Sequence, residues 1–132
     1  MPYLLDSDWV VDALAGDAAA VDLLERLARE GIAISIVTYM EVYEGVLRSA
    51  DPKTAEAALN TFLKGIPVLP FSAAVARRCA AIRHALRQAG RRVERRALDL
   101  QIAATAVQHS LSLVTRNRED YEDVPGLMMA TS

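Results

Sequence analysis

The sequence holds one cysteine, Cys79, in 132 residues, which excludes an intrachain disulfide framework and every multi-cysteine metal site. Histidine is nearly as scarce, with only His84 and His109, and lysine stops at Lys53 and Lys64. No stretch approaches the ~18 uninterrupted apolar residues of a membrane span. The chain opens Met1-Pro-Tyr-Leu-Leu-Asp6, where a secretory signal has basic residues followed by a longer apolar run. A reducing, cytoplasmic setting without membrane insertion is the expectation. What is present is 52% hydrophobic and 24% charged, the composition of one compact domain over residues 1–132. A chain of this size buries roughly 65–70% of its unfolded surface and needs no staple.

The net charge of −2 conceals a segregation. Between Arg77 and Arg96 stand eight arginines (77, 78, 83, 87, 91, 92, 95 and 96) against one acid, Glu94, a local charge of +7. The remainder carries seven basic and sixteen acidic residues, or −9. A basic surface on an acidic domain is the electrostatic footprint of a phosphate backbone or an acidic partner, and equally of a solvated helix face.

Apolar runs alternate with helical periodicity along the whole chain. Tyr3-Leu4-Leu5 reads as a buried strand ending in Asp6-Ser7-Asp8. Trp9, Val10, Ala13 and Leu14, then Val21, Leu24, Leu27 and Ala28, recur at helical spacing, with Gly16-Asp17 between two helices. Ile32 to Val37 is the clearest strand, apolar at nearly every position, as in a parallel sheet covered on both faces. Thr38 opens a helix to about Arg48, and Asp51-Pro52 opens another that ends before Gly65. Ile66 to Leu69 is a third strand, placed at a strand start or a sheet edge by Pro67. Ser72 caps a long helix to about Ala89, Leu98 to His109 is a buried helix, Leu111 to Val114 a fourth strand and Leu127 to Met129 a short fifth. The fold expected is a three-layer α/β/α sandwich with a mainly parallel sheet of four to five strands.

In such folds ligands bind beyond the carboxyl ends of the strands, and there Asp6, Glu41, Asp99 and Asp120 stand out. Each has a plain structural explanation. Thr38-Tyr-Met-Glu41 reads as a capping box, Asp99 as an N-cap after Leu98, Asp6 as a turn or cap residue, and Asp120 as a solvated loop acid. Taken together these explanations weaken, because carboxylates crowded on one sheet edge must take up protons or hold a cation. A set of oxygen ligands without histidine or cysteine favours Mg²⁺ or Mn²⁺. His84 reads as a surface residue, His109 as a helix-end residue, and Cys79, spaced with Val75 and Ile82, as core.

The motifs Tyr3-Leu-Leu-Asp6-Ser-Asp8, Ile34-Ser-Ile-Val-Thr38-Tyr-Met-Glu41-Val-Tyr-Glu-Gly45, Asp99-Leu-Gln-Ile-Ala-Ala-Thr105 and Leu113-Val-Thr115-Arg-Asn117, continuing through Asp120 to Leu127, closely resemble the PIN-domain ribonucleases. Within them the resemblance is to the VapC toxins of bacterial toxin–antitoxin pairs. It implies a metal-dependent endoribonuclease in which Asp6, Glu41 and Asp99 bind Mg²⁺ or Mn²⁺ and Thr38, Thr115, Asn117 and Asp120 complete the pocket. Asn117 occupies one family position for a fourth acid without a charge, and Asp120 offers the carboxylate three residues on. The resemblance further implies a homodimer and a cognate VapB-type antitoxin whose C-terminal segment covers the site. Arg91, Arg92, Arg95 and Arg96 are the residues assigned to the RNA backbone, a grip that gives affinity with little base specificity.

Two enzymatic or signalling alternatives and one binding alternative compete. Asp6-Ser7-Asp8 also fits a HAD-type phosphatase, which calls for a later lysine that neither Lys53 nor Lys64 supplies. A phospho-receiver calls for an aspartate ending the third strand, where Val68-Leu69-Pro70-Phe71 has none. A non-cleaving PIN-like module that binds RNA or a partner is the third.

Overall fold

The computed structural model describes residues 2–130. Met1, Thr131 and Ser132, which belong to the expected 1–132 domain, lie outside the described residues. Five strands, β1 (Tyr3–Leu5), β2 (Ile32–Ser35), β3 (Val68–Leu69), β4 (Ser112–Val114) and β5 (Met128–Met129), form one sheet in the order β3-β2-β1-β4-β5. Every neighbouring pair is parallel. Six helices connect them: α1 (Ser7–Leu14), α2 (Ala18–Ala28), α3 (Ile36–Arg48), α4 (Pro52–Phe62), α5 (Ala73–Gln88) and α6 (Ala97–Gln108).

Successive strand residues point to opposite faces, and this divides the core. Leu4, Ala33 and Leu113 join Val75, Cys79, Ile82, Leu100, Ile102 and Ala103 beneath α5 and α6. Leu5, Ile34 and Val114 join Val10, Leu23, Leu24, Val42 and Leu59 beneath the other four helices. The three-layer sandwich is therefore the observed architecture. Fully buried leucines and isoleucines such as Leu4, Leu5, Ile34 and Leu113 each contribute about 1.5–3 kcal/mol by leaving water. Among the described residues no helix is long and apolar enough to cross a membrane.

Several boundaries match the sequence signals. Asp17 caps α2 through Ala20 N, Asp51 caps α4 ahead of Pro52, and Ser72 caps α5 through Val75 N. Edge strand β3 follows Pro67, whose carbonyl accepts from Ile34 N at 3.1 Å. The second strand, however, ends at Ser35 rather than Val37. Ser35 has the extended backbone of a cap, and its Oγ accepts from Thr38 N at 3.0 Å, so α3 starts two residues before Thr38. Branched residues at 36 and 37 do not prevent this, because a cap and the buried face of a helix outweigh weak strand propensity. Two structural explanations for the acids fall with these boundaries. Thr38 is not a cap, so no capping box forms with Glu41, and α6 is capped at Arg96, which leaves Asp99 in the first turn.

Candidate active site

Parallel pairing brings the carboxyl ends of β1 and β4 side by side, and Asp6 N donates to Val114 O at 2.9 Å just beyond them. Asp6 does cap α1, its Oδ1 accepting from Ser7 N at 2.8 Å. Its other oxygen accepts from Thr115 Oγ1 at 2.8 Å and faces the Tyr121 hydroxyl at 3.4 Å. At 4% exposure Asp6 is the one acid among the described residues that is buried outright. Burial pushes its carboxyl above the ordinary range, its hydrogen bonds from Thr115, Ser7 and Tyr121 pull the other way, and the charge of Asp99 adds to the rise.

Around Asp6 stand three half-buried acids. Glu41, on α3, is raised by burial, lowered by the Ser7 side chain, and raised by Asp6, Asp99 and Asp8. Asp99, on α6, is raised by burial and lowered by the Tyr121 hydroxyl at 3.2 Å from its Oδ1, with Asp120 and Asp8 raising it and Arg96 lowering it. Asp8, in the first turn of α1, is raised by burial, by Asp6 and by Asp12, against Arg116. The Tyr121 hydroxyl, buried between anions, is itself pushed far above the usual phenol range. Each acid thus feels others of the group, the signature of like charges gathered in a poorly solvated place.

The remaining predicted residues sit as follows. Thr115 holds Asp6 directly. Thr38 is buried beneath it, Oγ1 donating to Leu5 O at 3.5 Å, the last residue of β1. Asn117 is exposed, its N donating to Thr115 Oγ1 at 3.0 Å and its Nδ2 to Asp8 Oδ2 at 2.9 Å. Asp120 ends a 3₁₀ turn (Arg118–Asp120) at the exposed rim. Its carboxylate has no hydrogen bond among the described residues, and it acts on Asp99 by charge. Sequence reasoning passed over Asp8 and Tyr121. Asp8 had a signal, being two residues past a strand-end aspartate and part of the first motif, but it was given a role only in the phosphatase pattern. Tyr121 lies in the motif that runs from Asp120 to Leu127 and was given no role, because nothing local says which groups its hydroxyl meets.

The arginines differ among themselves. Arg96 is held, Nη1 and Nη2 donating to Asp123 at 2.9 and 2.6 Å and Nη2 to Asp120 O at 2.8 Å. Arg96, one of the four arginines expected on the RNA backbone, thus has its fork engaged by a bidentate carboxylate. Arg91 lies 4.0 Å from Asp123, while Arg92 and Arg95 are exposed beside Glu94. Arg116 pairs with Asp12 and stacks on Trp9, 4.0 Å from the ring centre. His84 and His109 are exposed, and Cys79 is buried in the core.

Whether these residues suit a metal is decided by charge and donor type. None of Asp6, Asp8, Glu41 and Asp99 forms a salt bridge among the described residues, so the group is anionic, oxygen-only and uncompensated, which suits a hard divalent cation. Among the described residues no three acidic, histidine or cysteine side chains are already set to hold an ion. Asp6 in particular has its oxygens occupied by donors. The set fits such an ion in chemistry, and side-chain rotation has to complete the cage.

Comparison with known proteins agrees with the fold. The PIN domain family profile matches residues 3–127. The tRNA(fMet)-specific endonuclease VapC of Shigella flexneri is 32% identical over 127 residues, 96% of this chain and 95% of that protein. Ribonuclease VapC2 of Rickettsia felis is 30% identical over 131 residues, 98% and 96%. Among solved structures, VapBC2 from Rickettsia felis bound to a promoter DNA fragment superposes with a TM-score of 0.86 at 29% identity, covering 98% of both chains. DNA-bound VapBC from Salmonella typhimurium gives 0.87 at 25%, covering 98% and 97%. These likenesses set aside the phosphatase and phospho-receiver alternatives. A profile that spans nearly the whole sequence, with VapC relatives of matching length, makes this chain a member of the PIN domain family.

Proposed function

We propose that this chain, as one PIN unit over residues 1–132, is an endoribonuclease that hydrolyses RNA phosphodiester bonds with Mg²⁺ or Mn²⁺ and serves as the toxin of a toxin–antitoxin pair. The observation that carries the reading is the uncompensated acidic edge, Asp6 buried at the end of β1 with Glu41 and Asp99 facing it. Asp6, Glu41, Asp99 and Asp120 would hold the ion, with Asn117 as neutral support. When bound, the ion neutralises non-bridging phosphate oxygens and lowers the pKa of a bound water. Thr115 and Thr38 keep Asp6 and the end of β1 in place. Glu41 or Asp120 orients or deprotonates the attacking water, and the products carry 5′-phosphate and 3′-hydroxyl ends.

Arg92 and Arg95, with Arg91, hold the RNA backbone through an open basin of about 510 Å³ that Arg92, Glu94, Arg95 and Arg96 line. Arg96, which lines the same basin while bonded to Asp123, is the fourth arginine of that grip. The relatives' names make initiator tRNA the first substrate to offer. A VapB-type antitoxin is the partner, and the supporting feature is an apolar groove of about 230 Å³ lined by Val11, Leu14, Val42 and Val46 on the helices that also carry Asp8 and Glu41. A homodimer in the cytoplasm completes the reading.

The deciding experiment incubates the purified, antitoxin-free chain with a tRNA pool in Mg²⁺, in Mn²⁺ and in EDTA, alongside Asp6→Asn and Asp99→Asn. Cleavage that needs the metal and disappears in both variants is the expected result. A folded wild type that binds metal and cuts no RNA reduces the chain to a non-cleaving binding module, and one that binds no metal removes the site assignment.

A further inference from the structure

Tyr121 is 1% exposed and packs in the core with Leu100, Val124 and the helices α5 and α6. Packing alone does not call for its hydroxyl, because phenylalanine fills the same space and a buried hydroxyl is costly unless it is hydrogen-bonded. Here it has two carboxylate neighbours, Asp99 Oδ1 at 3.2 Å and Asp6 Oδ2 at 3.4 Å. The two acids are held unequally. Asp6 also accepts from Ser7 N and Thr115 Oγ1, whereas Asp99 has no other side-chain hydrogen bond among the described residues.

We infer that Tyr121 is a positioning residue whose hydroxyl keeps the Asp99 carboxylate turned toward Asp6 and so sets the spacing of the two acids. It acts through Asp99 and does not itself meet the phosphodiester. A half-exposed carboxylate in a first helical turn, repelled by its anionic neighbours, gains by rotating into water. A donor anchored in the core opposes that rotation, as outer-shell partners do for metal ligands. The inference rests on the reading of Asp6 and Asp99 as the metal-holding pair.

The test uses the full chain as wild type, Tyr121→Phe, Asp99→Ala and the double variant, in two arms. Thermal unfolding in EDTA needs no metal. Removal of the hydroxyl is expected to lower Tm more in the Asp99 background than in the Asp99→Ala background, because Asp6 is present in both and only the former adds the Asp99 carboxylate. Equal losses overturn the inference, since packing is indifferent to residue 99. Calorimetry with Mn²⁺ is expected to give a Kd about tenfold weaker for Tyr121→Phe, with kcat on a cleaved RNA reduced and KM unchanged. A Kd equal to or tighter than wild type overturns it. If the wild type binds no Mn²⁺, the metal reading fails on its own and the EDTA arm still decides the role of Tyr121.

Discussion

At the carboxyl edge of the sheet, four acids sit half or fully buried with no salt bridge among the described residues, whereas the arginines between α5 and α6 stand mostly in water. The exception in the second region is Arg96, gripped by Asp123. Burial is what separates the two. In the acidic edge, desolvation is the largest influence on every carboxyl, and each group feels the charge of at least one of the others. In the basic segment, water and salt screen the charges, so exposed arginines contribute little to stability and remain available to a partner. A cluster strained by its own repulsion is suited to capture a cation, and a solvated cluster of the other sign is suited to an extended polyanion.

The contrast is broken most directly at Asp6. Replacement by asparagine keeps the shape of the cap and removes the buried charge, and RNA cleavage is expected to fall to background, a loss of at least about 100-fold, measured as kcat/KM on the best-cut RNA. Asp120→Asn, at the exposed rim, is expected to cost less than about tenfold. Equal effects would erase the distinction between buried and exposed acids.

Next comes Arg96, the arginine between α5 and α6 that is held by a carboxylate. Asp123→Asn removes the bidentate partner of Arg96, both side chains being about a fifth to a quarter exposed, and is expected to destabilise the chain by about 2 kcal/mol in urea unfolding. Arg92→Ala with Arg95→Ala is expected to leave that stability unchanged. Their effect belongs to RNA affinity, measured with an Asp6→Asn background to prevent cleavage. The slope of log K against log salt should become shallower by about 0.7–0.9 for each phosphate that an arginine no longer neutralises. An unchanged slope removes these arginines from the RNA path.

The smallest expected effect is on pH dependence, and it has opposite signs in the two regions. Asp6, Asp8, Glu41 and Asp99 have folded pKa values above their unfolded ones. The stability they contribute is present below the unfolded carboxylate range, about pH 4, and is lost as pH rises through the raised values. Asp123 is held low by Arg96, so its contribution is present above that range and lost as pH falls through its folded value. In EDTA, Asp99→Asn is therefore expected to flatten the decline of Tm toward neutral pH, and Asp123→Asn to flatten the acid side. A Tm profile of Asp99→Asn parallel to wild type would contradict the upward shift that burial and neighbouring charge give this carboxyl.

Much of this architecture was legible from local pattern. The alternation of apolar runs and helical spacing specified the order of strands and helices, because burial on both faces of a parallel sheet leaves almost no polar residue in a strand. The helix starts at Asp51 and Ser72 announced themselves because their capping hydrogen bonds are local. The start of α3 did not. Ser35 and Thr38 are both able to cap, and the choice depends on where β2 must stop to stay in register with β1 and β3.

For the site, residue type and position after a strand singled out Asp6, Glu41, Asp99 and Asp120, and charge counting along the chain found the arginine segment. Those are properties of composition and spacing, and the sequence by itself determined them. It did not determine that Asp120 stays at the rim, that Asp8 joins the acidic edge, that Arg96 is spent on Asp123, or that Tyr121 reaches two carboxylates. Each of these depends on residues far apart in the chain meeting across β1, β4 and α6. Only the tertiary structure decided them, because burial, which sets the strength of every charge and hydrogen bond here, is a property of the packed chain and not of any segment of it.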